Sequence, residues 1–519
     1  MSLLSALPAE SFATISLRRI RAPRLVWRNT ALLSEERAFH LACCARLDGE
    51  DENVFSAEPV QAYADRYGGQ SIGFHGGSAR CAEFDGVQIK GVGRTPLYGQ
   101  SSNTEVEKWH SNGALSVHEA VREVIWSEIC SVLLPHSAVR NLSIFLTGSV
   151  IKDGAVTEDD GVVPYRALLL REPAVRPAHL LRNINFERST GWDNSFARDG
   201  QRVRGAFHSF QQHLRPNSAS KDSSLAADFA SHLNLTGIKF ADQIAASFAR
   251  RIFHRALSCS NIALNGRFLD FGVMTSVAAY RRLAGSPQPA GQDQWNQSQA
   301  LLVTLRSLVE HGQRHVEGFA QLDVNIENWI LNNYRGQLLE RTAVEMLRLT
   351  GLTERQLGRI NREARYRLFR AMQQIYMQGA QERYVLRRHD CGSVAGMAPL
   401  QKHGAYDLTQ VMYRASESDN DDDIIKNIAP LLKDGDYFLR FFSRAYLDIM
   451  TAARELFGAT SMVEARSRAR AMNSDLTFLS NSAIDEEISK CGNDANKLSN
   501  LISELLHRSR EYMLAWQAT

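Results

Sequence analysis

The chain has 519 residues, with 60 Lys and Arg against 57 Asp and Glu for a net charge of +3, and is 44% hydrophobic and 23% charged. That length allows two or more domains with sizeable cores, and the near balance of charge creates no field that calls for nucleic acid or an anionic membrane, so neither is expected as a partner. The seven cysteines form no C-x-x-C pair, residues 1–16 carry no signal-peptide pattern, and no apolar run approaches ~18 residues, so a cytoplasmic protein with reduced thiols and no membrane insertion is expected.

Residues 12–32 mix apolar residues with Arg18, Arg19, Arg21, Arg24 and Arg28 and read as a solvated basic face. Residues 47–53, LDGEDEN, read as a loop. Residues 63–80 hold Gly68, Gly69, Gly73, Gly76 and Gly77, followed by Ser78. Alone these glycines read as a pair of tight turns, yet they also let backbone N–H groups approach phosphates. The next strand, 81–90, ends Val87-Gln88-Ile89-Lys90. A lysine closing an apolar strand after a glycine-rich loop is what phosphate capture requires, as in the V-A-I-K strand of kinases; an ordinary strand-end lysine is the plainer reading.

Residues 114–134 show helical periodicity, with Glu123 and Glu128 as candidate partners of the strand lysine. Residues 142–171 read as two strands around a polar turn at 152–161, and Arg171 and Arg176 follow as candidates to face phosphate oxygens. A helical pattern from 227 then delivers the chain into residues 254–272, HRALSCSNIALNGRFLDFG. Kinase-type sites carry H-R-D-L-x-x-x-N, a hairpin, and D-F-G; the Asn and the Asp there hold magnesium. Asn261 and Asp270 stand at those places, with Asn265-Gly266 expected to form a type I′ turn between them. The base position is Ala256, and no carboxylate lies between His254 and Asp270.

After residue 273 the pattern is almost wholly helical, at 297–312, 339–350, 354–379, 424–433, 437–458 and 497–517. The run Glu417–Asp423 reads as an exposed acidic loop or a helix start.

These residues resemble the SelO family of protein adenylyltransferases, which have a pseudokinase-like fold. The resemblance runs through Pro23–Asn29, Phe55–Ala64, the glycine-rich Tyr63–Arg80, IKGVGRTP at Ile89–Pro96, Ser111–Glu128, REPAVRPAH at Arg171–His179, and the metal-ligand pair. Weaker echoes follow at Gln294–Leu302 and Lys433–Phe442. It implies an α+β, kinase-like bilobal fold: an N-terminal segment (1–60) packing on a small lobe (61–185), a lobe with the metal loop (186–320) and a helical extension (321–519). It further implies ATP and Mg²⁺ as cofactors, with AMP transferred. Lys90 and Glu123 (rather than Glu128) would hold phosphates, Arg171 and Arg176 the terminal phosphate, and Asn261 and Asp270 the metal. Gly73, Gly76, Gly77, Ser78, Gly91, Arg94 and His254 complete the nucleotide site so implied.

The family's acid before the metal Asn is Ser260 here, so both places from which an Asp would accept a hydroxyl proton are empty. A carboxylate nucleophile needs no such base. A softer resemblance, in size and in this base-less signature, is to the maturation proteins of siderophore-microcin clusters. It implies a peptide (microcin precursor) substrate whose C-terminal carboxylate is joined to a glucosylated catecholate siderophore, with a small acyltransferase-like protein subunit as partner. AMP transfer to protein hydroxyls, with water or His254 in place of the Asp, and a nucleotide-binding pseudokinase scaffold are the alternatives.

Overall fold

The computed structural model describes residues 3–45, 55–69, 72, 74–99, 113–151, 165–184, 186, 199–214, 224–277, 290–322, 325–389, 408–418, 421–431 and 436–518. Among them the architecture is α+β, with strands concentrated before residue 172 and helices thereafter. Strands β1 (Phe12–Ile20), β2 (Arg24–Arg28), β3 (Cys43–Cys44), β4 (Phe55–Asp65), β5 (Cys81–Phe84), β6 (Val87–Lys90), β7 (Asn141–Val150) and β8 (Tyr165–Arg171) form one sheet. Its order is β2-β7-β8-β6-β5-β4-β1-β3, and its named pairings are antiparallel.

The basic run at 12–32 therefore supplies two strands. Along β1, Ala13, Ile15 and Leu17 are buried while Thr14 and Ser16 are exposed, the period of two that a half-buried strand requires. Arg18 is accommodated by laying its guanidinium 4.5 Å over the Phe55 ring. The β5–β6 turn is Asp85-Gly86, with φ of 48° and 72°; both central residues are left-handed, as a two-residue type I′ hairpin demands.

Helix α1 (Val117–Leu133) begins at an N-cap, Ser116, whose side chain accepts from the Glu119 N–H. It buries Val121, Val124, Ile125 and Trp126, which together cover most of its circumference, in the largest core. Helix α2 (Asp199–Leu214) precedes α3 (Leu225–Ala249), whose Phe240, Ala241 and Ile244 join the same core. The helical pattern stops at Ala249 rather than 254, because Arg251 takes φ 56° and turns the chain into β9 (Ile252–Phe253), which pairs with β10 (Thr275–Ser276).

Helices α4 (Ala290–His315), α5 (Ile326–Leu347) and α6 (Arg362–His389) follow, then the shorter Leu408–Ser416 and Asp421–Ile428. The span α7 (Asp436–Met472) is two helices joined at Gly458, whose φ 81° and ψ 169° are non-helical. Helices α8 (Asn481–Cys491), α9 (Ala495–Arg508) and α10 (Arg510–Gln517) return to pack on α1. No helix among the described residues is long and apolar enough to cross a membrane.

Candidate active site

Strand β6 alternates, so Gln88 and Lys90 share one face while Val87 and Ile89 enter the core beneath. Gln88 pairs across the ladder with Arg171, the last residue of β8, which sets Lys90 and Arg171 on adjacent strands. On α1, Glu119 and Glu123 are one turn apart and present both carboxylates to the same point. The hairpin after His254 brings Asp270 to that point from the other side.

Lys90 Nζ lies 2.5 Å from Glu123 Oε1, 2.7 Å from Asp270 Oδ1 and 2.9 Å from Glu119 Oε1. Arg171 Nη1 donates to Asp270 Oδ1 at 2.9 Å, and Arg176 Nη1 stands 3.8 Å from Asp270 Oδ2. Three cations thus converge on one carboxylate. Their side chains are 4%, 2% and 1% exposed, whereas Asp270 is 23% and Glu119 20% exposed, so a ligand would approach over those two acids. Asp270 itself holds φ 64°, a conformation uncommon outside glycine and Asn/Asp.

The electrostatics separate the acids. Burial opposes ionisation of Asp270, but Arg171, Lys90 and Arg176 hold its carboxyl well below the usual range. Burial likewise opposes ionisation of Glu119, which Arg80 and Lys90 nevertheless hold low; Arg80 grips it in a two-pronged bond of 2.6 and 3.0 Å. Burial prevails at Glu123 and pushes its carboxyl up against the pull of Lys90. Lys90 is held charged: burial disfavours its ammonium, and Asp270, Glu119 and Glu123 outweigh that.

A second layer fixes the arginines. Gln88 Oε1 accepts from Arg171 Nε at 2.8 Å and from Arg176 Nη2 at 3.3 Å, and its amide donates to Asp65 Oδ1 at 2.9 Å. Asp65 also accepts from Ser78 Oγ at 2.6 Å and from His179 Nε2 at 2.9 Å, and His179 Nδ1 accepts the Arg176 N–H at 3.0 Å. Tyr67 places its ring 5.1 Å from the Arg176 guanidinium.

Of the expected residues, Lys90, Glu123, Arg171, Arg176 and Asp270 come together. Asn261, nine residues before Asp270, accepts from Ser260 Oγ at 3.1 Å and donates to the Ala256 carbonyl at 2.7 Å. Glu128 is elsewhere, bonded to Arg140 at 2.7 Å. His254 is buried and donates from Nε2 to the Leu269 carbonyl at 2.8 Å, so it braces the backbone just before Asp270; burial holds it neutral. Ser78 spends its hydroxyl on Asp65. The N–H groups of Gly76, Ser78 and Gly91 already bond the carbonyls of Leu97, Asp65 and Arg80. Gly77 and Gly91 are required by close backbone approach: a Cβ would meet Asp65 O at 2.3 Å and Ala167 O at 2.7 Å. Arg94 is exposed, 5.3 Å from the Tyr98 ring centroid. Gly73 lies outside the described residues.

The turn before Asp270 differs from a type I′ hairpin. Gly266 N–H bonds Ala263 O, Ala263 N–H bonds Arg267 O, and of the Asn265-Gly266 pair Gly266 alone has positive φ (91°). This is a three-residue loop, a type I turn closed by a left-handed glycine. Glu119, Gln88, Asp65, His179 and Arg80 went unread in the sequence. The i, i+4 spacing of Glu119 and Glu123 was the available signal for the first; the others meet only through contacts distant in sequence.

Asp270 and Asn261 offer one carboxylate and one amide oxygen, hard donors that suit Mg²⁺ when phosphates and water complete its shell. Among the described residues no group of three His, Cys, Asp or Glu could hold a metal alone. No protein-family model matches the chain, and no curated protein matches its sequence.

Proposed function

We propose that the chain is an ATP- and Mg²⁺-dependent adenylyltransferase of kinase-like bilobal architecture that activates a carboxylate. The observation that carries this reading is the convergence of buried Lys90, Arg171 and Arg176 on the partly open Asp270 carboxylate. Cations already desolvated and held by Glu119, Glu123 and Gln88 are pre-organised to take phosphate oxygens when Asp270 turns to other partners. Lys90 would hold a bridging phosphate, and Arg171 and Arg176 the departing pyrophosphate. Bound with the nucleotide, Mg²⁺ would take Asp270 and Asn261 as its protein oxygens and offset phosphate charge.

Ala256 and Ser260 stand where a general base would be, and His254 is buried with its Nε2 bonded to the Leu269 carbonyl. An ionised carboxylate needs no proton removed, and an added Asp would repel it. Its oxygen bonds the α-phosphorus as the bond to pyrophosphate breaks, giving an acyl adenylate. An alcohol or amine then takes the acyl group, and AMP leaves. On the microcin-maturation resemblance the acid is a precursor peptide's C-terminus. The acceptor is a glucosylated catecholate siderophore, and a small acyltransferase-like subunit assists the second step.

The test is the product formed from ATP and Mg²⁺ with candidate peptides. Pyrophosphate and AMP that require a free peptide C-terminus, and vanish in Asp270→Ala, are expected. ADP would contradict the proposal in favour of a kinase, AMP on protein Ser, Thr or Tyr would replace it with hydroxyl transfer, and ATP binding without turnover would leave a pseudokinase scaffold.

A further inference from the structure

A second concentration of positive charge lies away from the Lys90–Asp270 cleft. A hollow of about 430 Å³ is lined by Arg182, Gly200, Gln201, Arg204, Arg314 and His315. Its cations come from three places: the segment after the turn Pro177–Leu180, the first half of α2, and the last turn of α4. The dipole of α4 accounts for Arg314 and His315 at its C-terminal end. It gives no reason for Arg182 and Arg204 to face them.

Among the described residues, Asp199, beside Gly200, is already taken. Asp199 bonds Arg202 at 2.6 Å, pairs with Arg66 at 3.5 Å and accepts the Asn183 N–H at 2.7 Å. No ion pair to Arg182, Arg204 or Arg314 is found among the described residues. The imidazoles register the resulting field. Burial first, and then His311, Arg204, Arg314 and Arg182, hold His315 below its ordinary range. Burial also holds His311 low, with Arg314 and Arg182 acting the same way while its bond to Ser307 and the charge of Glu310 pull against them. His311, its ring 6.3 Å from that of His315, keeps a buried Nε2 with no hydrogen-bond partner among the described residues. Arg182, Arg204 and Arg314 are exposed, and three guanidinium forks gathered on one concave surface suit the oxygens of a multiply charged anion. The α2 N-terminus opens on the same hollow at Gly200, where a Cβ would meet no atom of the described residues within 4 Å.

We propose that this hollow binds a small, soluble phosphate-bearing anion at a site separate from the Lys90–Asp270 cleft. Arginines from three elements would close on it, and its occupancy would tie α2 to α4.

Calorimetric titration of the full chain with inorganic pyrophosphate tests this. The expected result is a binding event weakened about tenfold or more in Arg204→Gln/Arg314→Gln and by added salt, yet retained in Lys90→Met. Gly200→Asp is the second variant: an acid in the first turn of α2 favours the helix while placing a negative charge at the hollow. It should keep the fold and weaken pyrophosphate binding. Unchanged binding in both hollow variants, or binding lost only in Lys90→Met, would overturn the proposal, as would no binding at all. Failure here leaves the Lys90 cleft untouched, because that site answers to Lys90→Met alone.

Discussion

At the scale of single residues, Asp270 does the most. Its carboxylate is the common partner of three cations that are each nearly buried, and its φ of 64° is one that Asn also tolerates. Asp270→Asn therefore removes charge with little change of shape. Stripping one partner from a buried ion cluster leaves uncompensated charge, so a loss of about 3–5 kcal/mol is expected in urea unfolding. A loss below about 1 kcal/mol would mean that Lys90, Arg171 and Arg176 are compensated without it. Lys90 and Asp270 were legible in the sequence because they stand in the V-x-I-K and D-F-G patterns, and Arg171 and Arg176 because they follow an expected strand in REPAVRPAH. Asp65, Gln88 and His179 were not legible. Their roles depend on contacts distant in sequence, and Gln88 in particular looks like any polar residue on an alternating strand until Arg171 lies beside it.

At the scale of elements, α1 is the support that decides whether Glu119 and Glu123 reach Lys90. Its N-cap, Ser116, accepts from the N–H of Glu119 at 3.2 Å, so the cap and the acid that meets Lys90 share one turn. Ser116→Ala should cost about 1 kcal/mol of stability, and Ser116→Gly only a few tenths, in thermal or urea unfolding; equal effects would show that the cap bond contributes nothing. The far side of α1 is tied as well: Arg122 Nε donates to the Gly272 carbonyl at 2.7 Å, and its guanidinium also bonds Asp485 of α8. The long helices were readable from i, i+3, i+4 spacing, as α1 was to within three residues at either end. The acidic run near 421 proved to be a helix start, where carboxylates favour the N-terminal dipole. Strands β1 and β2 were obscured because five arginines mask the alternation of Ala13, Ile15 and Leu17. The helical pattern at 437–458 stops where Gly458 breaks α7, whereas the helix that continues from there to Met472 was not read.

At the scale of the molecule, the helices after residue 472 close around the site's supports. Arg251 donates to the carbonyls of Met472 at 3.0 Å and Ser474 at 2.8 Å, Ser276 to Leu476 at 2.7 Å, and Tyr512 to Arg250 at 2.5 Å. Such ties are long-range in sequence and carry no local signal. The interior also holds histidines kept neutral by burial, which gives the molecule a pH response of definite sign. His232 is lowered from 6.5 to about 4, by burial first and then by Lys239. The unfolded chain takes up that proton near pH 6.5 while the folded chain resists it until about 4. The stability His232 contributes is thus complete above about pH 6.5 and is lost as pH falls toward 4. His179 and His254, also lowered by burial, act in the same direction. Urea midpoints should therefore fall between pH 6.5 and 4, and His232→Gln should flatten that slope. A slope unchanged in the variant would show that His232 titrates alike in both states.

The most direct test of the proposed chemistry follows one oxygen atom. A peptide labelled with ¹⁸O in its C-terminal carboxylate is incubated with the full chain, ATP, Mg²⁺ and an amine or alcohol acceptor, and the AMP is weighed by mass spectrometry. Attack of the carboxylate on the α-phosphorus predicts AMP carrying one ¹⁸O, formed together with pyrophosphate. Unlabelled AMP would mean that water or a hydroxyl attacked, and labelled phosphate with ADP would mean that the γ-phosphorus was the target; either result contradicts carboxylate adenylation at the Lys90–Asp270 site.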